Sequence, residues 1–591
     1  MYSIIKSVQL LVALLKEYDI KHVVMSPGGS NIPIVHSIEV DPFFECYSVV
    51  DERSAVYFGM GIAQAKNVPV ACVCTSGTAV SNFLAGITEA YYRNVPIVAI
   101  TADKNQLFLN QIETQKIDQT NIFGTVCKKS VDLPIINTDD EYWYCERVIS
   151  EALLEMSHHG FGPVHINIST IGNTSTYCQT NLPSVKSIRL VDRGADVSVW
   201  REYINWLKKA EKILVVVGQD IVFTDRDIKN IEGFFEKYNC AFSVEHMSNL
   251  KCAGTLLTYA VTEIYGNNAL AEFVPDLVIS CGNNIASYEL KPFLRQNHKA
   301  FKHWSIDEGG RVRDVFQGLT DIFECSASYF FEFFNNNAPT LADNNKKYYF
   351  EWKQAVDRIV IPEFKFSNFY VAQQLAKIIP PNAILHLAIL NSTRIMQFFN
   401  IDKSIRVFSN LGALGIDGCL STFMGQAVST SELAFCLIGD LSFFYDMNAV
   451  GIGQACNNVR IVLLNNGGGS EFHFFMGRQK IPTIDKYICA EHKKSAKGWV
   501  ESLGYKYYSA SSKAELDEIL SVFKLPSLEP LFLEVFSEME KDANLTKTFY
   551  QMNKPASEKV HNVKTAIKTA LKSMLTEKQI AEIKRFINKN E

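Results

Sequence analysis

Two short polar loops, each following an apolar run, constrain the fold of this chain more than any other sequence feature. Gly439-Asp440-Leu441-Ser442 follows residues 434–438, and Asn465-Asn466-Gly467-Gly468 follows residues 461–464. Both runs are typical of buried parallel strands, and residues 443–460 between them fit a helix. Because the carboxyl ends of parallel strands meet at the edge where open α/β sheets bind ligands, we expect the two loops to lie side by side.

The polar atoms of these loops are those that a hard divalent cation prefers. Asp440 offers a carboxylate oxygen, Asn466 an amide oxygen and Gly468 a backbone carbonyl. Mg2+ favours near-octahedral oxygen coordination and commonly takes a few ligands from protein and the rest from phosphate and water. The sequence therefore predicts that Asp440, Asn466 and Gly468 bind Mg2+.

Similar strand-like runs recur along the chain and are each followed by a turn and a helical pattern. The 591 residues are too many for one core. We predict an α/β fold of three doubly wound parallel-sheet domains, followed by a short, basic, helical tail. The predicted bounds are residues 1–180, 190–335 and 350–545 for the domains and 546–591 for the tail.

Composition places the chain among ordinary globular proteins, with 47% apolar residues, 20% charged residues and a net charge of −5. This charge gives no electrostatic case for a nucleic-acid partner. The 14 cysteines are scattered, without metal-site spacing, and are typical of a reducing compartment. Neither a signal peptide nor an apolar run long enough to cross a bilayer is evident, so we expect a cytoplasmic protein without membrane contact.

Several motifs occur together in a specific order across residues 1–180 and 380–475. They are Ser26-Pro27-Gly28, Asp51-Glu52-Arg53-Ser54-Ala55, Thr75-Ser76-Gly77-Thr78-Ala79, Thr101-Ala102-Asp103, Gln115 with Asp118-Gln119, Gly162-Pro163-Val164-His165, Ser409-Asn410, Gly415-Ile416-Asp417-Gly418 and Gly439 to Phe443 with Tyr445-Asp446. With these motifs the chain resembles the thiamine-diphosphate-dependent 2-oxo-acid decarboxylase superfamily. Within it, the chain is similar to the menaquinone-pathway synthases that make 2-succinyl-5-enolpyruvyl-6-hydroxy-3-cyclohexene-1-carboxylate.

The resemblance implies that thiamine diphosphate and Mg2+ are the cofactors, held by a pyrimidine-binding first domain and a diphosphate-binding third domain. Glu52 would hydrogen-bond the pyrimidine ring and promote loss of the thiazolium proton. Ile416 would bend the cofactor, and Gln115 would contact substrate. The other cofactor-binding positions implied are Ser26, Pro27, Gly28, Thr75, Gly77, Ser392, Gly439, Asp440, Leu441, Ser442, Asn466, Gly468 and Phe472.

The resemblance also implies the assembly. In this superfamily the two halves of the cofactor bind to different subunits, so Glu52 of one chain would meet Asp440 of another. We therefore expect a homodimer or homotetramer with active sites at the subunit interface.

Arginines that the menaquinone-pathway synthases use for carboxylate substrates are replaced in this chain. The expected positions hold Ser30, Lys104, Met396 and Leu411, although Arg394 lies two residues before Met396. Glu471 stands where the family has an apolar residue. Each lost ionic contact to a buried carboxylate costs on the order of 2–5 kcal/mol, and Glu471 would repel anions further.

These replacements favour a carboligase that decarboxylates a small 2-oxo acid, preferably pyruvate, and transfers the acyl unit to a carbonyl acceptor such as a keto-sugar or an aldehyde. Lys104, Glu471 and His473 are candidates for acceptor contact or proton transfer. Each also fits a structural role, Lys104 as an ion-pair partner and His473 as a loop histidine.

Three other functions remain open at this point. One is the menaquinone-pathway synthase itself, acting on 2-oxoglutarate and isochorismate with Arg394 or Arg478 recruited for the carboxylates. A second is a simple 2-oxo-acid decarboxylase, and a third is a catalytically inactive binding module. Residues 190–335 show no distinct flavin signature.

Overall fold

A computed structural model describes residues 1–170, 176–185, 188, 200–311, 313–337, 344–453, 457–475 and 483–555. Arg478 and the tail helix expected from Thr576 onward lie outside these residues. The three expected parallel sheets are present, each with six strands and flanking helices, which confirms the predicted fold class.

The first sheet has the strand order β3-β2-β4-β5-β7-β6, and its strands are all parallel. Two further strands, β1 and β8, pair antiparallel beside it. The elements of this unit are β1 (Tyr2–Ser3), α1 (Lys6–Glu17), β2 (His22–Met25), α2 (Ile32–Glu39), β3 (Glu45–Ser48), α3 (Glu52–Lys66), β4 (Val70–Cys74), α4 (Thr78–Tyr92), β5 (Ile97–Asp103), β6 (Lys129–Leu133), α5 (Asp139–Glu155), β7 (Val164–Ser169) and β8 (Tyr177–Gln179).

The second sheet has the order β11-β10-β9-β12-β13-β14 and is also parallel. Its elements are α6 (Trp200–Lys209), β9 (Ile213–Val217), α7 (Asp225–Lys237), β10 (Cys240–Val244), β11 (Thr255–Leu257), α8 (Tyr259–Ile264), α9 (Asn267–Leu270), β12 (Leu277–Cys281), α10 (Leu290–Gln296), β13 (Lys302–Ile306), β14 (Leu319–Phe323) and α11 (Ala327–Asn337).

The third sheet has the order β16-β15-β17-β18-β20-β19, again parallel. Its elements are α12 (Lys347–Asp357), α13 (Asn368–Ile378), β15 (Ile384–Leu387), α14 (Asn391–Met396), β16 (Arg406–Phe408), α15 (Cys419–Ala427), β17 (Ala434–Gly439), α16 (Asp440–Tyr445), β18 (Val459–Asn465), α17 (Ser470–Phe475), α18 (Lys497–Ser502), β19 (Lys506–Ala510), α19 (Lys513–Phe523), β20 (Leu531–Phe536) and α20 (Met539–Asn553).

Two local features differ from the sequence expectations. The helix expected over residues 443–460 is the short α16, and a 3-10 turn follows it at Met447–Gly451. Helix α20 runs past residue 545, the expected end of the third domain, and its Phe549 packs on Phe364 and Phe398 in the core of the third unit. The described helices include none that is both long and apolar enough to span a membrane.

The first and third units are joined by the crossing of α3 and α15. A Cβ added at Gly61 in α3 would lie 2.0 Å from the Thr422 carbonyl oxygen, and one added at Gly425 in α15 would lie 2.0 Å from the Phe58 carbonyl oxygen. The two backbones therefore approach at a distance that only glycine permits, and this contact fixes α3, with Glu52 at its first position, against the third unit.

Gly61→Val is expected to lower the free energy of unfolding by about 3 kcal/mol or more, because the added side chain meets backbone that cannot move aside. Urea unfolding followed by circular dichroism measures the change. The control is Gly498→Ala in α18, where an added Cβ has no neighbour within 4 Å among the described residues. Equal effects of the two substitutions would contradict the close helix crossing.

Candidate functional site

Asp440 joins the two loops that follow β17 and β18. These strands are neighbours, with Gly439 opposite Leu464. One oxygen of Asp440, Oδ2, accepts hydrogen bonds from the backbone N–H groups of Gly467 at 2.8 Å and Gly468 at 2.9 Å. Its Oδ1 accepts from the Leu441 N–H at 2.7 Å. The carboxylate is thus buried and held in one orientation at the carboxyl edge of the sheet.

Asn466 is oriented by an acid that the sequence motifs do not reveal. Its Nδ2 donates to Asp542 Oδ2 at 3.2 Å, and Asp542 also accepts from Ser537 Oγ at 2.7 Å and from the Asn368 N–H at 3.1 Å. Burial raises the pKa of Asp542, and the charge of Asp440 adds to this rise. Because Nδ2 is occupied, the amide oxygen of Asn466 is the atom available to a cation.

The oxygens of this edge fit a hard divalent cation. Asp440 and Asn466 are buried, and Gly468 has φ +148° with the Cys489 carbonyl oxygen only 2.6 Å from the place a Cβ would take. The Gly468 carbonyl accepts from the Ser470 N–H at 3.0 Å and keeps a second lone pair. Carboxylate, amide and carbonyl oxygens are together the ligand types that Mg2+ takes.

A histidine with a buried side chain, beside the predicted metal ligands, was missed by the sequence analysis. His492 Nδ1 accepts from the Lys494 N–H at 3.2 Å, which leaves the proton on Nε2. Nε2 lies 3.4 Å from Asp440 Oδ2 and has no hydrogen-bond partner among the described residues. Such an orphaned buried donor fits an anionic ligand at this edge, such as a diphosphate.

Glu52 is the first residue of α3, and its position is fixed by the residues on either side. Asp51 caps the helix by accepting from the N–H groups of Arg53 and Ser54. Arg53 donates to the Tyr445 carbonyl at 3.3 Å, and Ser54 Oγ donates to Asp446 Oδ1 at 3.4 Å. The start of α3 is therefore tied to the end of α16.

The other residues predicted in the first unit come together at the carboxyl ends of β2 and β4. Gly28 packs so closely on Thr75 that an added Cβ would lie 2.2 Å from its side chain, and Gly77, with φ +84°, packs on Gln115. Ser26 Oγ is buried without a hydrogen-bond partner among the described residues and lines a cleft with Pro27. Gln115 itself is exposed on this single chain.

Glu52 belongs to this group as well. The nearby Glu52 carboxylate adds to the rise in pKa that burial gives the Cys74 thiol, and Cys74 ends β4 directly before Thr75.

The other residues predicted in the third unit lie around the sheet edge that carries Asp440 and Asn466. Ser442 Oγ donates to the Ile416 carbonyl at 2.8 Å, which fixes the loop that carries Ile416. Ser392 is buried in α14, and Asn391 of the same helix donates to Ser470 Oγ at 2.9 Å. The side chain of Phe472 is exposed, and Gly439 and Leu441 flank Asp440 at the junction of β17 and α16.

Lys104 and His473, two of the candidates for acceptor contact or proton transfer, both have carboxylate partners. Lys104 Nζ lies 2.7 Å from Glu113 Oε1 and also donates to the Thr114 carbonyl. His473 Nε2 lies 2.7 Å from Asp485 Oδ1. Their roles in acceptor contact or proton transfer stay predictions.

Glu471, the third such candidate, forms a largely buried ion pair. Its Oε2 lies 2.6 Å from Nη1 of Arg394, and the two side chains are 14% and 9% exposed. Glu471 was expected to repel anions, but its charge is neutralised by Arg394. The two residues lie 77 positions apart, and no sequence pattern connects them.

These geometries define a class of protein, an α/β protein of parallel sheets whose ligand site lies at the carboxyl edge of the strands. Residues 5–122 match the family model described as "Thiamine pyrophosphate enzyme, N-terminal TPP binding domain". The cofactor class is therefore thiamine diphosphate.

Relatives cover almost the whole chain. A 2-succinyl-5-enolpyruvyl-6-hydroxy-3-cyclohexene-1-carboxylate synthase of Bacteroides fragilis is 38% identical over 563 residues, which are 94% of this chain and 100% of the relative. The synthase of Bacteroides thetaiotaomicron is 38% identical over 565 residues, and that of Flavobacterium johnsoniae 28% identical over 568 residues; these cover 94% and 93% of this chain and all of each relative. The chain belongs to this family of thiamine-diphosphate-dependent enzymes.

The expectation of a pyruvate-using carboligase with a neutral acceptor is wrong. Full-length relatives at 36–38% identity are all named as the synthase, which was the alternative function. The physical reason lies in the charge argument, which counted missing arginines and an added Glu471. That argument treated Glu471 as a free negative charge, whereas the structure pairs Glu471 with Arg394.

Asp446 gives this region a predictable pH dependence. Burial raises the pKa of Asp446 to about 7, although its hydrogen bonds from Ser421 act in the opposite direction. In the unfolded chain the pKa of an Asp carboxyl is about 3.9. Stability should therefore fall as pH rises between these two values, because only the unfolded chain ionises freely there, and level off above about pH 7.

Asp446→Asn should flatten this part of the stability profile, because the variant has no carboxyl to ionise. Urea midpoints of both proteins measured from pH 4.5 to 7.5 give the comparison. Asp140→Asn, at an exposed position in α5, is the matched control and should follow the wild-type slope. Identical slopes for wild type and Asp446→Asn would contradict the assignment.

Proposed function

We propose that this protein is a 2-succinyl-5-enolpyruvyl-6-hydroxy-3-cyclohexene-1-carboxylate synthase that uses thiamine diphosphate and Mg2+. It takes 2-oxoglutarate as the acyl donor and isochorismate as the acceptor, and it releases CO2. The observation that carries the proposal is 38% identity over 94% of the chain to a relative of this name. Glu52, Asp440 and Asn466, at the motif positions, support it.

The proposed roles of the third unit follow from its contacts. Asp440, Asn466 and Gly468 hold Mg2+ with the oxygens described above. The orphaned Nε2 proton of His492 is available to a diphosphate oxygen beside the metal. Ser442 fixes the Ile416 loop, so Ile416 would keep its place beside the cofactor when it is bound.

When bound, thiamine diphosphate supplies a carbon nucleophile that amino-acid side chains lack. Glu52 would hold a proton against the pyrimidine ring, and the capped start of α3 keeps this residue in place. Ser26 Oγ, buried without a partner among the described residues, is a further donor at the cleft in the first unit.

The direct test is product formation by the purified protein with thiamine diphosphate, Mg2+, 2-oxoglutarate and isochorismate. Mass spectrometry should show the succinyl adduct of isochorismate, formed in equal amount to the CO2 released. Release of CO2 with succinic semialdehyde as the product would instead indicate a simple decarboxylase.

Glu52→Gln should bind thiamine diphosphate with Mg2+ like the wild type and lose turnover by about 10²–10⁴-fold, because the amide cannot exchange the proton. Isothermal titration calorimetry measures cofactor binding, and product formation measures turnover. Glu518→Gln, on the exposed face of α19, is the control and should leave both unchanged. Unchanged turnover in Glu52→Gln would remove Glu52 from the mechanism.

We also propose that two chains share each active site in a homodimer or a larger homo-oligomer. Glu52→Gln and Asp440→Asn chains should each be inactive alone. After co-expression, half of the dimers are mixed and one of their two sites has both groups intact, so about a quarter of the wild-type activity should return. Activity that stays absent in the mixture would place both groups of each site on one chain.

A further inference from the structure

Three side chains of different chemistry meet beside α17, outside the set assigned to thiamine diphosphate and Mg2+. They are the imidazole of His473, the carboxylate of Asp485 and the thiol of Cys489, and one ligand atom of each lies within 4.8 Å of the other two. His473 Nε2 lies 2.7 Å from Asp485 Oδ1. The fold therefore brings a nitrogen, an oxygen and a sulfur donor to one place.

The spacing of these atoms is close to what one tetrahedral ion requires. With bonds of about 2.0–2.1 Å to nitrogen and oxygen and about 2.3 Å to sulfur, the ligand atoms of a tetrahedral zinc site lie about 3.3–3.6 Å apart. The distance of 2.7 Å between His473 and Asp485 is below this spacing, and the 4.8 Å that bounds the whole group is above it. Small side-chain rotations therefore bring all three atoms onto one ion.

The backbone around Cys489 has an unusual and well-fixed conformation. Cys489 follows a π-helical turn at Ile484–Ile488, and its N–H donates to the Ile484 carbonyl at 2.7 Å. The next residue, Ala490, has a left-handed backbone with φ +52°, which is uncommon for a residue other than glycine. Single π-helical turns and strained residues of this kind are frequent at functional sites.

Backbone hydrogen bonds hold this turn against the start of α17. The Cys489 carbonyl accepts from the Gly469 N–H at 2.7 Å, and the His492 N–H donates to the Gly467 carbonyl at 2.9 Å. Lys547 of α20 donates to the His473 carbonyl at 2.9 Å. The three ligand groups are thus carried by two segments whose relative position is already fixed.

The group combines a buried sulfur donor with access from solvent. Cys489 is buried, whereas the side chains of His473 and Asp485 are 24% and 53% exposed. An ion can therefore enter from the Asp485 side, and a water molecule can complete its coordination. A thiolate and a carboxylate together balance the charge of a divalent cation.

The donor set distinguishes between metals. Mg2+ prefers oxygen ligands, as at the Asp440 edge, whereas a set with one imidazole nitrogen and one thiolate suits Zn2+. The two sites therefore select different cations. Three protein ligands and a water molecule form an open zinc site rather than a closed structural one.

We propose that His473, Asp485 and Cys489 bind one Zn2+ ion, with water as the fourth ligand, and that this ion clips α17 to the π-helical turn. The site is additional to the cofactor site and does not depend on the proposed function. Helix α17 begins two residues after Gly468, so the clip stabilises the segments that border the Mg2+ edge. His473 is then a metal ligand rather than the acceptor contact predicted from sequence.

Co2+ is the spectroscopic probe, titrated into the full chain loaded with thiamine diphosphate and excess Mg2+, which keeps the oxygen site occupied. We expect one equivalent to produce the intense visible bands of tetrahedral Co2+ and a near-ultraviolet charge-transfer band from sulfur to cobalt. Added Zn2+ should remove both sets of bands, because it binds such a site more tightly than Co2+ does.

Variants assign the bands to these residues. Cys489→Ser should lose the charge-transfer band, because the sulfur ligand is gone. Asp485→Asn should weaken Zn2+ binding, measured by isothermal titration calorimetry, by about tenfold or more, because a neutral amide replaces a carboxylate. Cys178→Ser, which removes an exposed cysteine on β8, is the matched control and should keep all bands. Zn2+ should raise the unfolding temperature of the wild type but not that of Cys489→Ser.

Absence of the charge-transfer band in the wild type, or a band that persists in Cys489→Ser, would overturn the inference. Asp485→Asn keeps the test decisive if Cys489→Ser does not fold, because Asp485 is exposed and its replacement leaves the core intact. Wild-type affinity for Zn2+ in Asp485→Asn would also overturn it. Product formation from 2-oxoglutarate and isochorismate is measured separately and tests the proposed function alone.

Discussion

The Asp440 carboxylate is the interaction on which the rest of the site depends. By accepting from the N–H groups of Gly467 and Gly468, it joins the loops after two neighbouring parallel strands. This contact sets the positions of the Asn466 amide and the Gly468 carbonyl. His492 and Asp542 lie in the same buried cluster, close enough for the charge of Asp440 to act on both. Parallel strands alone would bring the loops to one edge, but only the hydrogen bonds across them give the oxygens a defined arrangement.

The first and third units approach most closely at two glycines. Gly61 and Gly425 let α3 and α15 approach to backbone contact, and Arg53 and Ser54 then tie the start of α3 to α16. As a result, the helix that begins at Glu52 has a fixed direction with respect to the third sheet. The central unit also borders the third unit, since the loop after β12 and α10 line one cleft with Arg394 of α14.

The regular elements of the site could be predicted from sequence, because strands β17 and β18 are continuous apolar runs that end in residues typical of ligand-binding turns. The contacts that decide its charge could not. Arg394 and Glu471 meet across the fold, and Asp542 reaches Asn466 from a helix 76 residues away, so neither pair leaves a local pattern. Residues 443–460 looked helical because apolar residues recur there. The carboxyl of Asp446, buried against Ser421, marks where the helix actually ends.

The charge of the site decides between the family function and the discarded pyruvate reaction. The most direct measurement is CO2 release by the protein loaded with thiamine diphosphate and Mg2+, compared between 2-oxoglutarate and pyruvate as kcat/KM. The proposed function predicts turnover of 2-oxoglutarate, which has two carboxylates. It predicts little or no turnover of pyruvate, which has one. Turnover of pyruvate alone would contradict the proposed function.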